Sequence, residues 1–436
     1  MDIVSTQNPK SLDPVLIDGV RTPFLRSNGA FTRISPYQLT SKAIAGLLNK
    51  TGIDPQRIDH VAMGCVIASP KTPNVAREAS LAAGVPATTP THTATLACVS
   101  ANVAATTVTD MIRLGRIDVA IAGGTENLSD PPIQVSQNLR LAMVKAQKAK
   151  GIPDYIKILR TLSLKDIVPD IPAVAEFSTG ESMGEGCERL LRQAHVTREE
   201  ADQYAIRSHQ RAAKAWEEGH YNEVVIPVEV PPQFQPVIKD DGPRGDSTLE
   251  KLAKLRPAFD KVFGVSTAGN SSFLTDGASA VLFMSRKKAE ELGYKPKAVL
   301  KDYVYGAGDP LNELLTGPVL TIPKLLDKNG LKLSDISVWE IHEAFSAQTV
   351  AMIKLLKSEK FCRERLGQGT AVGEIPIEKM NVWGGSLSLG HPFGATGGRL
   401  LETAARRLGR EGGRYAVVAG CAAGGHGSAI LLENPD

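Results

Sequence analysis

Three reactive side chains stand in turns far apart along this 436-residue chain, and together they indicate thiol chemistry. Cys98 precedes an alanine-rich helical stretch, His391 lies within the glycine-rich stretch 384–397, and Cys421 comes shortly before the glycine pair 424–425. A helix start favours a thiolate, a histidine can remove the thiol proton, and a second thiol can exchange a proton with carbon. Taken singly, each side chain could instead have a structural role, the cysteines as inert buried thiols and the histidine as a side chain that hydrogen-bonds within its turn. The combination predicts catalysis by a thiol with proton transfer.

A fourth candidate, His342, directly follows the apolar run 336–341. That run has the length and composition of a buried strand, and ligands favour the carboxyl edge of such strands in α/β sheets. The turn after Cys421 also supplies backbone N–H groups that can stabilise an oxyanion. Both features place further polar groups near the predicted thiol site.

Composition excludes several classes of protein. Hydrophobic residues make up 42% and charged residues 22% of the chain, and the net charge of +3 gives no general case for nucleic-acid binding. No apolar run reaches the roughly 18 residues of a membrane span. The five cysteines are scattered and lack zinc-ligand spacing, so we expect a reducing compartment and no metal site. The N-terminal residues show neither a signal peptide nor a transit bias, which favours the cytoplasm.

The chain repeats itself in four apolar runs, which end at or near glycine and have the character of strands buried on both faces. The paired runs, in the same order in both copies, are 15–20 with 299–304, 58–65 with 336–342, 118–124 with 415–421, and 276–283 with 426–432. Helical patterns lie between them at 103–114 and 398–408. This organisation predicts an α/β fold made of two related layers packed about a pseudo-dyad.

The segment 130–262 belongs to neither copy and is predicted to be an inserted loop domain that covers the active site. The first half then comprises 1–129 with 263–286, and the second half 287–436. Two amphipathic helical patterns open the insertion, and basic residues lie on or beside them. These basic residues are Lys145, Lys148, Lys150, Lys157, Arg160 and Lys165.

Over nearly its full length the chain resembles the thiolase family. The motifs that carry the resemblance, in family order, are Arg21-Thr22-Pro23-Phe24, Gly123-Gly124-Thr125-Glu126-Asn127, Thr267-Ala268-Gly269-Asn270-Ser271-Ser272, Asp276-Gly277-Ala278, Gly390-His391-Pro392, and Cys421 with Gly424-Gly425. The resemblance implies a thiolase fold, with two βαβαβαββ halves in five α-β-α-β-α layers and an α/β loop insertion. It also implies an acyltransferase that cleaves 3-ketoacyl-CoA with coenzyme A during fatty-acid β-oxidation.

The same resemblance implies a role for each site residue. Cys98 would be the nucleophile that carries the acyl group as a thioester, His391 would activate it, and Cys421 would move the proton at the substrate α-carbon. One oxyanion hole would be formed by the backbone N–H groups of Cys98 and Ala423, and another would be built around His342 and His391.

For coenzyme A, which would be a substrate with no bound cofactor, the resemblance implies contacts from Ser272 and Met183. Most thiolases have asparagine where this chain has His342, and Ser182 stands where many have histidine. His342, Val99 after Cys98, and the two alanines after Cys421 instead resemble the thiolase subunits of fatty-acid oxidation complexes. That likeness implies a homodimeric core, a hydratase/3-hydroxyacyl-CoA dehydrogenase α subunit as partner, and peripheral membrane contact through the insertion.

Three alternatives remain open at this stage. A decarboxylating ketoacyl synthase would use Cys98, His342 and His391, but Cys421 argues against it because those synthases have a Phe-Gly-rich turn there. A biosynthetic thiolase that forms acetoacetyl-CoA would use the same site. A non-catalytic acyl-CoA-binding subunit would be expected to have lost at least one of Cys98, His391 or Cys421, and all three are present.

Overall fold

The computed structural model describes residues 9–169 and 175–436. Residues 1–8, part of the stretch from which a cytoplasmic location was predicted, and residues 170–174 of the predicted insertion lie outside this range. The strands are β1 Pro14–Arg21, β2 Leu25–Arg26, β3 His60–Gly64, β4 Thr91–Ala94, β5 Val119–Glu126, β6 Val228–Val230, β7 Gln235–Val237, β8 Thr275–Ser285, β9 Ala298–Ala307, β10 Ile336–Ile341, β11 Tyr415–Ala422 and β12 His426–Glu433. The helices are α1 Pro36–Thr51, α2 Val75–Ala82, α3 Ser100–Arg113, α4 Gln137–Ala146, α5 Ile152–Leu159, α6 Leu164–Ile167, α7 Met183–Ala194, α8 Arg198–Glu217, α9 Leu249–Ala253, α10 Arg286–Glu291, α11 Gly317–Asn329, α12 Ser346–Lys357, α13 Glu359–Leu366, α14 Ser386–Leu389 and α15 Thr396–Glu411.

The strand order shows the internal duplication directly. Nine strands follow the order β10-β11-β12-β9-β1-β8-β5-β3-β4, and β2 pairs separately with β8. The two halves share a parallel pair, β3 with β5 and β10 with β11, beside an antiparallel pair, β5 with β8 and β11 with β12. The first half has a further parallel pair, β3 with β4. The halves join where Val15 and Leu16 of β1 pair with Val299 and Ala298 of β9. All four pairs of repeated runs identified in the sequence therefore occupy equivalent strands.

The buried hydrophobic clusters show how the helices pack in layers on the sheet. Helices α3 and α15 pack against each other and contribute Val108, Leu401 and Leu408 to one buried cluster that takes residues from both halves of the sheet, such as Val281 and Val418. Helices α1 and α2 cover the outer face of the first half, and α11 and α12 cover that of the second. The arrangement confirms the predicted α/β fold, with the helical patterns 103–114 and 398–408 forming α3 and α15.

Residues 130–174 form a separate small unit, and the rest of the chain forms the main body. Within this unit Asp166 joins two helices, because its carboxylate accepts hydrogen bonds from Ser136 and Asn138 at α4 and from Ser163 at α6. The predicted insertion was longer. Residues 175–262 group with the main body, where α7 and α8 share a core with α12. In the described part of the chain, no helix combines the length and apolar character needed to cross a bilayer.

Candidate active site

Cys98 stands in a tight turn between β4 and α3. Ser100 closes the turn, because its hydroxyl accepts a hydrogen bond from the Leu96 N–H (2.8 Å) and donates one to the Ala97 carbonyl (2.7 Å). Ala97 has φ +45°, a left-handed backbone conformation that is costly for a residue with a Cβ atom. A strained residue held by side-chain bonds directly before the thiol is typical of a functional turn.

The two candidate histidines come from the second half. His342 follows β10, where its backbone N–H donates to the Ala419 carbonyl of β11 (2.8 Å). His391 follows α14, and its backbone N–H donates to the Thr275 hydroxyl of β8 (2.9 Å). Their rings lie 3.9 Å apart between centroids, and both side chains are buried.

The structure brings together the residues predicted from sequence. The Cys98 sulfur and one ring nitrogen from each of His342 and His391 lie within 4.8 Å of one another. The backbone N–H groups of Ala423 and of Cys98 itself face the Cys98 sulfur and favour its thiolate form, which lowers its pKa. Cys421 ends the same β11 strand and is buried close enough to Cys98 for their charges to interact. A thiol and two imidazoles could also ligate a thiophilic metal, a grouping that zinc-ligand spacing in the sequence did not reveal.

Burial sets the protonation states of this site. It raises the pKa of the Cys98 thiol to about 12, and the two N–H donors offset only part of that effect. The backbone N–H groups at this turn do lower the pKa, as expected for a helix start, but desolvation outweighs them. Burial, followed by the charge of Cys98, also raises the pKa of Cys421 well above its usual range. Burial and then the Arg399 charge lower the pKa of His342 to about 3.

His391 has its pKa lowered well below the ordinary value by burial, then by His342 and Arg399. The resting site therefore holds two neutral thiols and two neutral imidazoles near neutral pH. A neutral imidazole beside a thiol can accept its proton, and a protonated second thiol can act as an acid.

Two buried carboxylates that sequence reasoning missed hold the loops of the site. Glu343 accepts hydrogen bonds from the Tyr204 hydroxyl, the Ser208 hydroxyl and the Asn381 amide, and these tie α8 to the segment before α14. Glu126 accepts from the Gly394 N–H in the loop after His391 and from two N–H groups that follow β3. Glu126 stood within a family motif and Glu343 directly follows His342, but their hydrogen-bond partners are distant in sequence and could not be read from it.

A cavity of about 400 Å³ opens in the main body. Its lining includes the cationic side chains of Arg26, Arg244 and Lys251, together with Ser271 and Phe273. Arg26 stacks on the ring of Phe273, 3.9 Å from its centroid. The lining therefore combines positive charge with an aromatic surface.

The two residues predicted to contact coenzyme A do not line this cavity in the described structure. Ser272 lies beside the lining residue Ser271 and donates its backbone N–H to the Ala344 carbonyl (2.9 Å), next to the loop of His342. Met183 begins α7, where Ser182 caps the helix, and packs against the core of the second half. Their contact with coenzyme A stays a prediction.

A duplicated α/β sheet around two central helices, with Cys98, His342, His391 and Cys421 brought together in one site, defines a thiol-dependent acyltransferase. Family models agree: residues 14–287 match "Thiolase, N-terminal domain" and residues 294–434 match "Thiolase, C-terminal domain". The chain belongs to the thiolase family.

Similar proteins support this assignment over the whole length. The chain is 49% identical to "Trifunctional enzyme subunit beta, mitochondrial" of Mus musculus over 98% of its length and 89% of that protein. It is also 49% identical to "Probable 3-ketoacyl-CoA thiolase" of Caenorhabditis elegans, over 96% of this chain and 93% of that protein. The crystal structure of human mitochondrial 3-ketoacyl-CoA thiolase superposes with a TM-score of 0.82 at 29% identity and covers 98% of this chain and all of that one.

Proposed function

We propose that this chain is a degradative 3-ketoacyl-CoA thiolase, which cleaves 3-ketoacyl-CoA with coenzyme A into acetyl-CoA and an acyl-CoA shortened by two carbons. The observation that carries the proposal is the meeting of the Cys98 sulfur with the two imidazoles, beside Cys421, in a member of the thiolase family. Relatives named 3-ketoacyl-CoA thiolase support the substrate class and the place in fatty-acid oxidation.

In the first half-reaction, His391 accepts the Cys98 proton, and the thiolate attacks the 3-keto carbon. The bond between carbons 2 and 3 then breaks, its electron pair passes to carbon 2, and the released acetyl-CoA enolate takes a proton from Cys421. In this proposal the N–H groups of Cys98 and Ala423 hold the acyl oxygen, and His342 with His391 holds the enolate oxygen; the proximity of the two rings and of these N–H groups to the Cys98 sulfur supports the assignment.

In the second half-reaction, the Cys421 thiolate takes the proton from the thiol of coenzyme A, which attacks the Cys98 thioester. Cys98 leaves as a thiolate and recovers its proton from His391, so that the site returns to its neutral resting state. The proton transfers balance over the two steps. Both cysteines are needed because Cys98 carries the acyl group throughout, while Cys421 acts as the acid in the first half-reaction and as the base in the second.

The cavity lined by Arg26, Arg244 and Lys251 is where we place the phosphates of coenzyme A. Guanidinium and ammonium groups are the usual donors to phosphate oxygens. Coenzyme A enters this proposal as a substrate that is released after each turnover.

The test is CoA-dependent cleavage of 3-ketoacyl-CoA substrates from four to sixteen carbons by the purified chain, with the acyl-CoA products identified by mass spectrometry. We expect a two-carbon-shorter acyl-CoA and acetyl-CoA in equal amounts. Activity confined to acetoacetyl-CoA would favour the acetoacetyl-CoA-forming alternative, and release of carbon dioxide from malonyl-CoA would favour a ketoacyl synthase.

We propose two kinds of assembly. Strand β4 lies at an end of the strand order, which suits pairing with a second copy in a homodimer. The unit 130–174 suits a hydratase/3-hydroxyacyl-CoA dehydrogenase α subunit or an anionic membrane surface, since relatives are named as β subunits of trifunctional enzymes. The exposed apolar side chains of Met143, Ile152 and Leu159 beside lysines support this choice of surface.

A cytoplasmic location stays a proposal, supported by five cysteines that are all free. Several relatives are named mitochondrial, so the matrix is the competing location. Fractionation of the native cells with an antibody against the chain decides between the two.

A further inference from the structure

The two imidazoles of the site are bound differently at their inner nitrogens. His342 Nδ1 lies 2.9 Å from the Ser386 hydroxyl, and His391 Nδ1 lies 2.7 Å from the Thr396 hydroxyl. Both Nε2 atoms are buried and have no hydrogen-bond partner in the described structure. Because each neutral imidazole carries one proton, the bond at Nδ1 decides whether Nε2 is a donor or an acceptor.

Around His342, the hydrogen bonds and the charge of Arg399 together select one tautomer. Arg399 Nη2 donates to the Ser386 oxygen (3.0 Å), so this hydroxyl is already an acceptor. Its own proton has one recorded acceptor, His342 Nδ1. Each tautomer leaves one buried donor without a protein partner, either the Ser386 hydroxyl or the ring Nε2–H, at a similar cost of about 1–3 kcal/mol. The Arg399 charge decides between them, because a proton on Nδ1 would point at the hydroxyl oxygen that the guanidinium already bonds, whereas a lone pair on Nδ1 faces that positive charge favourably. His342 therefore carries its proton on Nε2.

Around His391, a count of hydrogen-bond donors selects the opposite tautomer. Thr396 donates its hydroxyl proton to the Pro392 carbonyl (3.0 Å), so its oxygen is available as an acceptor for His391 Nδ1. In that arrangement both donors, the Thr396 hydroxyl and His391 Nδ1–H, have an acceptor. The reverse would leave an N–H of the ring at Nε2 without a partner. His391 therefore carries its proton on Nδ1 and presents a lone pair from Nε2.

We propose that Ser386 and Arg399 are positioning residues that hold His342 as an Nε2–H donor to the substrate oxygen, so that His391 alone serves as the base. This assignment rests on the proposed function and deepens it, because it gives the histidine at position 342 a duty that an asparagine amide could also perform. Neither Ser386 nor Arg399 is required to touch the substrate.

The position of Arg399 is itself fixed by a buried ion pair with Glu340. Its side chain is 1% exposed and lies 3.7 Å from the Glu340 carboxylate, which also accepts a hydrogen bond from Arg407 (2.8 Å). A buried guanidinium near both rings also disfavours an imidazolium. The chain Arg407, Glu340, Arg399, Ser386 thus ends at the Nδ1 atom of His342.

The direct test is ¹⁵N NMR of the full-length protein labelled at histidine, with the His342 signals assigned by their loss in His342→Asn. We expect a protonated Nε2 and an unprotonated Nδ1 for His342, and the reverse for His391. In Ser386→Ala the His342 signals should move toward a mixture of tautomers. This readout does not depend on turnover, so it stands even if thiolysis is absent. Protonation at Nδ1 of His342 in the wild type, or an unchanged tautomer in Ser386→Ala, overturns the proposal.

Kinetics supply a second test with a matched control. Ser386→Ala should lower kcat by about 10-fold with KM little changed, since a whole oxyanion donor contributes about 10²–10³. Ser388→Ala is the control, because Ser388 is buried on the same short helix α14 but its hydroxyl bonds to Ser208 and to the Gly385 carbonyl and makes no hydrogen bond to His342. We expect little change in kcat for it.

A double-mutant cycle separates positioning from general damage to the fold. In a His342→Asn background, Ser386→Ala should change kcat by less than about twofold, because an amide has no tautomers to select. An equal loss of kcat in both backgrounds, or an equal loss from Ser388→Ala, shows that Ser386 acts only in packing and refutes the proposal.

Discussion

At the scale of single residues, the site combines a poorly acidic nucleophile with a base that is poorly basic. Burial raises the pKa of Cys98 to about 12 and lowers that of His391 well below its ordinary value. Charge separation between them is therefore costly until the substrate oxygen accumulates negative charge near the N–H donors. We infer that thiolate formation and attack on the keto carbon occur together.

Replacement of the nucleophile gives the first prediction. Cys98→Ser should reduce thiolysis by at least about 10³-fold, because a hydroxyl ionises far less readily than a thiol and loses the attacking species. Mass spectrometry of the wild type after incubation with acyl-CoA should show one acyl group on Cys98. An acyl group found on Cys421 alone would reverse the roles of the two cysteines.

His342 provides the second prediction. His342→Asn restores the commoner family residue and should retain substantial activity, because an amide can donate to the same oxygen. His342→Ala should lose about 10²-fold or more in kcat, as expected for one oxyanion donor. Complete inactivation by both substitutions would mean that position 342 must supply a base.

The sequence predicted which side chains meet but not their surroundings. Cys98, His342, His391 and Cys421 were found because reactive residue types stand in glycine-rich turns or at strand ends. Their shifted pKa values could not be predicted, because desolvation depends on atoms from both halves of the chain. Ser386 and Thr396 lay within or beside the recognised glycine-rich stretch, but only the structure shows that they bond to different rings.

At the scale of secondary-structure elements, periodicity located helices but not their packing partners. The predicted insertion ran to residue 262 because residues 130–262 match neither of the two repeated copies. In the structure Leu190, Leu191 and Tyr204 of these helices share a core with α12, and only 130–174 separates. An amphipathic stripe shows that a helix needs a partner without identifying it.

The closeness of β3 to α3 gives the third prediction. A Cβ atom at Gly64 would lie 2.6 Å from the Ala101 nitrogen, so Gly64→Ala must displace the start of α3 and the Cys98 turn. We expect a loss of about 1–3 kcal/mol in the free energy of unfolding and a lower kcat.

Gly409→Ala is the matched control for that change. Gly409 lies within α15 with no atom within 4 Å of a Cβ placed there, so alanine should stabilise the protein by about 0.5–1 kcal/mol and leave kcat unchanged. Urea unfolding measures both variants. Equal stability of the two would show that the β3–α3 contact is looser than it is in this structure.

At the scale of the whole molecule, the separate unit gives the fourth prediction. Met143, Ile152 and Leu159 are exposed by 57%, 76% and 63%, whereas Leu139 and Ile158 on the same two helices, α4 and α5, are only partly exposed. Changing the three exposed residues to serine should abolish binding to the α subunit or to anionic vesicles, because apolar area drives both.

Cleavage of short 3-ketoacyl-CoA by the same triple variant is the internal control and should persist. Replacing Lys145 and Lys148 with glutamine in a second variant separates the targets, since loss of vesicle binding alone would indicate an electrostatic membrane contact. Loss of short-chain cleavage with partner binding retained would make the unit part of the active site.

Acid sensitivity gives the fifth prediction. The pKa of His342 is lowered to about 3 in the fold, so the unfolded chain binds one more proton below pH 6.5. The stability contributed by the neutral ring is full above that pH and is lost as the pH falls toward 3. Between pH 7 and pH 5 this group alone should remove about 2 kcal/mol from the free energy of unfolding.

Urea titrations at the two pH values measure that change, and His342→Asn should reduce it by the same amount. Carboxylates add little in this window because most of them titrate below pH 5. An identical pH dependence in wild type and variant would mean that the ring is solvated in the folded protein.

The division of the site between the halves has a consequence for how the molecule matures. The first half supplies Cys98, while His342, His391 and Cys421 all come from the second, and the sheet joins the halves through only a short β1–β9 contact. A newly made chain therefore has no activated thiol until both halves have docked on α3 and α15. Catalytic activity therefore reports correct assembly of the two halves. If the halves were expressed as separate polypeptides, activity would return only when they associate with each other.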